Sequence, residues 1–295
     1  IKVTFIPDPT TAQNIMLAVQ ADEWDSPTAQ AINYLVNKGL TKVSSWPGLV
    51  NSIWPNTTNT SSPFYNSLAL RQAIEYAIDR PTLAKVLGFG NYIPMNQLAP
   101  EGEWGYDPNY QGIPYDPAKA KQLLAEAGYP GGKGFPTLTL TFREKTPDLR
   151  RTAEMIKEQY RKQLGINVEL REMEWGAFLD ALDRKELPFI HLRWAADYLD
   201  AQNFLSVMLH TGAPENVVGY SNPRFDALCD QADKEQDEQK RVQLYREAER
   251  IAVTEDVPWI TLYFQRDVEL IKPYVKGIRD SLMGHLPHVT TTIER

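Results

Sequence analysis

TLTLTF (137–142), INVEL (166–170) and PFIHLRW (188–194) decide the fold, because each has the pattern of a β-strand. Apolar residues alternate in the first two segments, which is typical of half-buried strands. An apolar helical stripe that ends at Gly165 separates these two, and a second predicted helix precedes the third. The pattern predicts a β–α–β–α–β unit over 137–194, whose parallel strands end at the same edge of a sheet.

The end of the third strand is the predicted ligand position. In open α/β sheets, small ligands bind in the crevice outside the carboxyl ends of the strands. RWAADY (193–198) lies where the third strand ends, so we expect Trp194, Asp197 and Tyr198 at that crevice. Two other interpretations stay open at this point: Asp197 could cap a turn, and the aromatic side chains could pack in the core.

The same periodicity predicts further elements on both sides of this unit. An alternating pattern predicts a strand over Ile1–Ile6, and the polar segment 56–63 is interpreted as a crossing between two lobes. Alternation of helices and strands along the chain favours the α/β fold class. Strands are also predicted within 42–54 and 257–265, and helices over 10–18, 27–38, 70–80, 81–87, 116–128, 223–232 and 238–254.

Composition and motifs narrow the function classes. The 38 acidic residues outnumber the 31 basic ones, and no basic cluster occurs, so nucleic acid is not an expected partner. Common hydrolase, phosphate-loop and zinc motifs are absent from the sequence, so we predict no catalytic residue, no metal site and no cofactor. The single Cys229 excludes an internal disulfide. Ile1 begins directly in a strand pattern, so we expect the natural N-terminus to be missing.

Five sequence blocks together indicate a family. In their order and spacing they resemble recurring blocks of the dipeptide- and oligopeptide-binding extracytoplasmic receptors of bacterial ABC transporters, the family 5 type, and IPDPTTAQNIMLAVQADEW (6–24) matches a further block. Val19 and Gln20 stand where the family usually has a Gly-Glu pair, and Arg193 stands where a glycine commonly precedes the tryptophan. The five blocks are LRQAIEYAIDR (70–80), YDPAKAKQLLAEAGYP (115–130), RWAADYLDAQNFL (193–205), GYSNPRFDALCDQA (219–232) and KRVQLYREAERI (240–251).

The resemblance implies the architecture of these receptors, in which two lobes close on a ligand. The expected fold is α/β, periplasmic-binding-protein-like type II, with two lobes around mixed and parallel sheets and an incomplete first lobe. Residues 1–47 and 262–295 would be the remnant of the first lobe, and 48–261 would form the second lobe with the β–α–β–α–β unit. About half of the cleft wall is then expected to lie outside this chain, or to come from a companion N-terminal chain.

Residue by residue, the resemblance implies a set of ligand-binding positions. An aspartate in the family's Trp-x-x-Asp block holds the α-ammonium of the ligand, and Asp197 is the matching position. We expect a charge-assisted hydrogen bond there, with the backbone of Trp194, Ala195 and Ala196 pairing with an extended peptide.

Three further residues complete the predicted ligand-binding set. Tyr198 is expected to line the pocket beside Asp197. Asn216 and Tyr220 are predicted to donate hydrogen bonds to ligand carbonyl or carboxylate groups, with a solvated loop as the alternative for Asn216.

The function that the resemblance implies is the capture of peptides, which are not chemically changed. We expect the full-length protein to be secreted to the periplasm or the outer face of the cytoplasmic membrane, where a lipid anchor could hold it. It would close around a small peptide with a free α-amino group and deliver it to an ABC permease. Two alternatives stay open: a receptor of the same fold for an oligosaccharide, a nickel chelate or another small solute, and a peptide or sugar hydrolase.

Overall fold

The structure, a computed structural model, describes residues 1–44, 47–278 and 288–295. Parts of the two segments predicted as the first lobe, residues 45–46 and 279–287, therefore lie outside the described residues. The helices are α1 (Pro9–Leu17), α2 (Ala29–Val36), α3 (Leu68–Tyr76), α4 (Arg80–Gly88), α5 (Pro117–Glu126), α6 (Pro147–Leu164), α7 (Trp175–Asp183), α8 (Ser206–Leu209), α9 (Pro223–Ala232) and α10 (Glu238–Arg250). The strands are β1 (Glu23–Asp25), β2 (Thr41–Ser44), β3 (Leu49–Pro55), β4 (Tyr92–Pro94), β5 (Leu138–Arg143), β6 (Val168–Met173), β7 (Phe189–Ala195), β8 (Ile260–Gln265), β9 (Val268–Ile271), β10 (Val275–Lys276) and β11 (Thr292–Ile293).

A six-stranded mixed sheet forms the centre of the molecule, in the order β4-β8-β3-β7-β5-β6. β5 pairs in parallel with β6 and with β7, and α6 and α7 connect these strands. β3 runs antiparallel to both β7 and β8, and β4 runs antiparallel to β8. The α/β class with mixed and parallel sheets, predicted from the sequence, is confirmed.

Helices cover both faces of this sheet, because its strands carry apolar side chains on both sides. One face packs against α3 to α6, where Leu140 and Tyr160 are fully buried. The other face packs against α7 to α10, and there Trp54 stacks on Trp259 with 4.3 Å between ring centroids. Each large side chain buried in this way stabilises the fold by about 1.5–3 kcal/mol, and together they make this part the main core.

A second, three-stranded sheet is built from both ends of the chain, with β9 between β1 and β2. We call residues 48–265, which hold the six-stranded sheet, the large unit. Residues 1–44, 266–278 and 288–295 form the small unit. β8 continues to Gln265 within the large unit, so the chain leaves that unit after residue 265 rather than at 262. The assignment of these units to two lobes stays a prediction.

The two units contact each other beside the points where the chain crosses between them. At the start of α2, the Ala29 N–H donates to Asp148 Oδ2 of α6 at 3.1 Å. Arg151 Nη1 donates to Gln30 Oε1 at 2.8 Å, and Lys42 Nζ donates to Asn91 Oδ1. These bonds and the chain crossings hold the small unit against one edge of the large sheet.

Two predictions, a strand at the start of the chain and a crossing at 56–63, are wrong. Residues Ile1–Ile6 form no strand, and Ile1 and Phe5 are more than nine-tenths exposed; a strand needs a hydrogen-bonded neighbour, and none of the described residues pairs with this segment. The polar segment 56–63, predicted as a crossing between lobes, does not cross between the two units. It follows β3 within the large unit, where the Thr57 N–H donates to Val218 O at 3.1 Å.

No helix in the described parts of the chain combines the length and the apolar character needed to cross a membrane.

Candidate ligand-binding edge of the large sheet

Four strands of the large sheet end at the same edge, and two begin there. The register aligns the last residues of β7 and β8, Ala195 and Gln265, with Leu49 at the start of β3. β5 and β6 end beside them because they run parallel to β7. The chain also crosses to the small unit from this edge, so the edge lies where the two units meet. This is the position at which open α/β sheets bind ligands.

A buried asparagine fixes the residues that follow β7. Asn203 is 1% exposed, and its Oδ1 accepts the Trp194 Nε1–H at 2.7 Å and the Asp197 N–H at 3.2 Å. Its Nδ2 donates to Asp197 Oδ2 at 3.3 Å. One amide group of Asn203 therefore orients both the Trp194 indole and the Asp197 carboxylate, which flank Ala195 and Ala196 in the sequence.

Asp197 is exposed at this edge, two residues after β7 ends. Its Oδ2 is held by Asn203, whereas its Oδ1 makes no hydrogen bond or ion pair with any residue that the structure describes. Asp197 does not cap the turn that follows it, because the 3₁₀ turn at 201–203 is capped by Asp200, whose side chain accepts the Gln202 N–H. A fixed carboxylate with one free oxygen is suited to a cationic donor.

The backbone at the end of β7 has one residue whose hydrogen-bonding groups point away from β3. The Ala196 N–H donates to Gly48 O at 3.4 Å. Bonded and non-bonded pairs alternate along an antiparallel ladder, so Trp194 also pairs with β3, whereas the N–H and C=O of Ala195 face the opposite side. Of the three residues predicted to pair with a peptide, Ala195 is thus the one with its backbone directed to the open side.

Tyr198 and Trp194 differ in burial. Tyr198 is 39% exposed, and its hydroxyl donates to Gln202 Oε1 at 3.0 Å. Trp194 is half-buried and packs against the core under α7 to α10. Its indole is therefore firmly placed, and Tyr198 lies on the surface beside it.

Asn216 and Tyr220 lie in the interior, 4% and 6% exposed, so the solvated-loop interpretation of Asn216 is wrong. Asn216 Nδ2 donates to the carbonyls of Leu209, His210 and Tyr220, and its Oδ1 accepts the Tyr220 N–H. The Tyr220 hydroxyl donates to Asp256 Oδ2 at 2.7 Å. The polar groups of both side chains form hydrogen bonds within the protein. These contacts do not support their predicted role in binding a ligand.

Three residues at this edge were not singled out in the sequence. Arg143 ends β5, and its guanidinium lies 4.9 Å from the ring centroid of Trp175, which follows β6. Both follow from the rule that places ligands beyond strand ends, which was applied only to the third strand. Asn203 could not be found in this way, because its role depends on a contact across a turn.

A neutral histidine lies next to this edge within the sheet. His191 is 1% exposed, and neither ring nitrogen has a hydrogen-bond partner among the described residues. Burial, and then the charge of Arg193, lower the pKa of His191 to about 3. His191 is thus uncharged at neutral pH, and Arg193 is the charged residue of β7.

Comparison with known proteins identifies relatives of this chain. Residues 1–216 match the family described as bacterial extracellular solute-binding proteins, family 5. A heme-binding protein A from Haemophilus influenzae is 32% identical over 232 residues, which are 77% of this chain and 42% of that protein. A dipeptide-binding protein from Escherichia coli is 30% identical over 225 residues, 75% of this chain and 42% of that protein. The chain has about half the length of these relatives, and the matched segment covers 42% of each of them.

A solved structure has the same fold over nearly the whole chain. It is the periplasmic binding protein DppA from Helicobacter pylori, associated with an ABC transporter and in complex with the peptide STSA. The TM-score is 0.88 and the sequence identity is 26%, with 99% of this chain and 56% of that one covered. The similar proteins are binding proteins rather than enzymes.

Proposed function

Because this chain belongs to the bacterial extracellular solute-binding proteins of family 5, we propose that it captures peptides with a free α-amino group and delivers them to an ABC permease. Asp197 carries the proposal. Its carboxylate is held by Asn203, its Oδ1 is free within the described part of the chain, and it lies at the carboxyl end of β7. An α-ammonium group would complete its hydrogen bonding.

The neighbouring groups suit the rest of a peptide. The N–H and C=O of Ala195 would pair with the backbone of an extended ligand, as a further strand does at the edge of a sheet. The indole of Trp194 would support the first residue of the ligand, and Tyr198 would lie beside it. Backbone pairing carries little side-chain information, so broad peptide specificity is expected.

The proposal includes closure of two lobes about the chain crossings. The small unit would belong to the first lobe, and the large unit would form most of the second. The relatives are about twice as long, so the rest of the cleft wall would come from sequence outside these 295 residues, in the same protein or in a companion chain. Because both walls normally share the binding energy, the 295-residue chain alone should bind peptides weakly.

Calorimetric titration with trialanine and N-acetyl-trialanine tests the role of Asp197. The chain should prefer the free peptide by at least about tenfold, because the acetyl group removes the charge that pairs with the carboxylate. Asp197→Asn should abolish this preference, whereas Asp183→Asn, at an exposed position on α7, should retain it. An unchanged preference in Asp197→Asn would show that the amine is held elsewhere. Submicromolar binding by the chain alone would contradict the need for a second wall.

A different solute is the second candidate, favoured by one observation. The relative from Haemophilus influenzae is named as a heme-binding protein and is as similar to this chain as the dipeptide-binding one. If blocked peptides, free peptides and heme are compared in the same titration, preference for heme would overturn the peptide proposal.

We also propose that the ligand is released unchanged and that the protein acts in the periplasm or at the outer face of the cytoplasmic membrane. The similar proteins with assigned roles are binding proteins, which supports both statements. Incubation with excess peptide, followed by mass spectrometry over hours, should show no loss of substrate. Steady conversion would instead favour a hydrolase.

A further inference from the structure

The end of β7 extends beyond β5, so one side of β7 is open there. Thr141 of β5 is level with Ile190 of β7. The last residue of β5, Arg143, is therefore level with Leu192, and β7 continues for three more residues, 193–195. These three residues pair with β3 on one side, and no strand that the structure describes covers their other side. A ligand strand at this position would continue the line of β5.

Arg193 is the first residue of β7 on the open side. It lies opposite Asn51 of β3, which in turn lies opposite Tyr263 of β8, so the three side chains share one face of the sheet. Tyr263 is in the core beneath α3 to α6, whereas Trp194 packs beneath α7 to α10. The side chain of Arg193 therefore lies on the side of α3 to α6, at the edge where Asp197 follows β7.

The guanidinium of Arg193 has no partner within the described part of the chain, where it forms neither a hydrogen bond nor an ion pair. Its neighbour Asn51 is fully buried, yet the Oδ1 of Asn51 also has no hydrogen-bond partner among the described residues. Asp148, on the same face at the start of α6, pairs with Arg151 and accepts the Ala29 N–H. An arginine keeps its positive charge, and Arg193 is partly buried, so the lack of a counter-charge is unfavourable.

An extended ligand on the open side would bring one of its own side chains close to Arg193. Side chains of directly paired residues project to the same face, so the ligand residue that pairs with Ala195 would have its side chain on the face of Arg193. Arg193 and Ala195 are two strand positions apart, and diagonal neighbours of this kind are roughly 7–8 Å apart, a distance that long side chains bridge. A carboxylate suits a guanidinium best, because two parallel hydrogen bonds can form.

We propose that Arg193 makes the peptide site selective for ligands that carry a carboxylate beside Ala195, and that acidic peptides are therefore its preferred substrates. The inference rests on the proposed function for the position of the ligand along β7. It adds a positive contact to the negative one at Asp197, so a peptide with a free amine and an acidic group would satisfy both. The carboxylate can come from an aspartate or glutamate side chain, or from the C-terminus of a short peptide.

NMR titration of the 295-residue chain with blocked tripeptide amides tests the proposal, because it measures the weak binding expected of this chain alone. In each N-acetylated peptide, one alanine is replaced by glutamate or, as the uncharged control of similar size, by glutamine. The three positions are tested in turn. At one of them the glutamate peptide should bind about three- to tenfold more tightly than the glutamine peptide, as for a partly exposed charge pair. These peptides lack an α-ammonium group, so the result does not depend on Asp197.

A second pair of peptides distinguishes the source of the carboxylate. N-acetyl-trialanine with a free C-terminus is compared with its amide. Preference for the free acid, without any preference for glutamate, would assign Arg193 to the C-terminus of short ligands, and the reverse result would assign it to an acidic side chain. In either case Arg193→Gln should remove the preference.

Three variants separate a role in specificity from a role in structure. Arg193→Gln should bind the charged and uncharged peptides alike, with the wild-type affinity for the uncharged one. Arg193→Lys should keep part of the preference, since lysine retains the charge but not the two parallel donors. Arg161→Gln removes the same charge at an exposed position on α6 and should keep the full preference. If Arg193 only supported the fold, its replacement would change the affinity for both peptides equally.

Two results would overturn the proposal while leaving the peptide function intact. These are equal affinity for every charged and uncharged pair, and a preference that persists in Arg193→Gln. If no peptide binds, free or blocked, the peptide function fails and the proposal fails with it. Circular dichroism checks that Arg193→Gln is folded; if it is not, the Nε–H resonance of Arg193 in the wild-type chain decides. It should shift with the charged peptide and not with the uncharged one, and an unchanged resonance would have the same meaning as equal affinity.

Discussion

The large unit and the small unit differ in how much core each contains. The large unit buries extensive clusters of side chains on both faces of six strands, whereas the small unit buries one short cluster beneath three strands of at most four residues. A three-stranded sheet with so small a core is marginal in isolation. The comparison teaches that the small unit is stabilised largely by its contacts with the large one, and should open locally at lower free energy. The core of the small unit consists of Met16, Ile32, Leu35, Leu40, Val268 and Leu270.

The largest expected effect concerns a buried ion pair of the large unit. Glu75 is fully buried, pairs with Arg80, and accepts the Thr261 N–H at 2.9 Å. Arg80→Met would leave Glu75 without its counter-charge in the core, and should lower the free energy of unfolding by about 3–5 kcal/mol. Denaturant titration measures this change.

A double variant is the matched control for this loss. Glu75→Leu together with Arg80→Met replaces both charges with apolar groups, and should recover at least half of the lost stability. Equal instability of the single and double variants would mean that packing, rather than the unpaired charge, dominates at this position.

The next largest effect is a pH dependence of the free energy of unfolding, caused by a buried carboxyl group in the large unit. Glu249 is buried, and burial raises its pKa to about 7, although the amides of Leu98 and Ala99 donate to it. A carboxyl whose folded pKa is raised stabilises the fold below its unfolded pKa, and this contribution is lost as pH rises toward 7. At about 1.4 kcal/mol per pKa unit, the loss is roughly 2–3 kcal/mol.

Glu249→Gln keeps an oxygen acceptor for the two amides but does not titrate. The difference in unfolding free energy between wild type and variant should therefore grow in favour of the variant from pH 4.5 to pH 7. Parallel stability profiles over this range would show that Glu249 is not the titrating group.

A smaller effect tests the dependence of the small unit on the large one. Asp148→Ala removes the acceptor of the Ala29 N–H, a bond between the units, and should reduce local stability by about 0.5–1.5 kcal/mol. Hydrogen exchange should show faster exchange in α2 and β9 and little change in β5. Glu154→Ala, an exposed position on the same helix, should leave both unchanged. Equal loss of protection in β5 would contradict the difference between the units.

The smallest expected effect is an increase in stability from a substitution in the small unit. Val19 has φ +58°, a left-handed conformation that is strained for a β-branched residue. Val19→Gly should raise stability by about 0.5–1 kcal/mol, because relief of about 1–2 kcal/mol exceeds the entropy that glycine loses. Val19→Ala should gain less, since alanine keeps its Cβ. A thermal unfolding scan in which glycine lowers the melting temperature would refute this reasoning.

The features predicted best from the sequence are those that depend on neighbouring residues, such as the ends of helices. Asp116 caps α5 by accepting the amides of Ala118 and Lys119, and Gly165 ends α6 in a left-handed conformation, both as the local pattern indicates. The strand over Ile1–Ile6 failed because an alternating pattern cannot reveal whether a pairing strand is present. Element type follows from periodicity, but pairing depends on distant parts of the chain.

The candidate site divides in the same way. Trp194 and Asp197 could be placed at a strand end because parallel strands end together. Asn203 could not be foreseen, since it acts across a turn, and Asn216 looked like a loop residue although its amide satisfies four backbone groups in the interior. Hydrogen bonds that organise a loop depend on its folded path, which composition does not encode.

The central position of β9 in the small sheet has a consequence for protein synthesis. β1 and β2 leave the ribosome long before β9, which pairs with both and begins only at Val268. While the large unit is being synthesised, the two earlier strands carry backbone N–H and C=O groups without their permanent neighbour, and such edges associate readily with other chains. Nascent chains halted before Val268 should thus require a chaperone more than the completed polypeptide does.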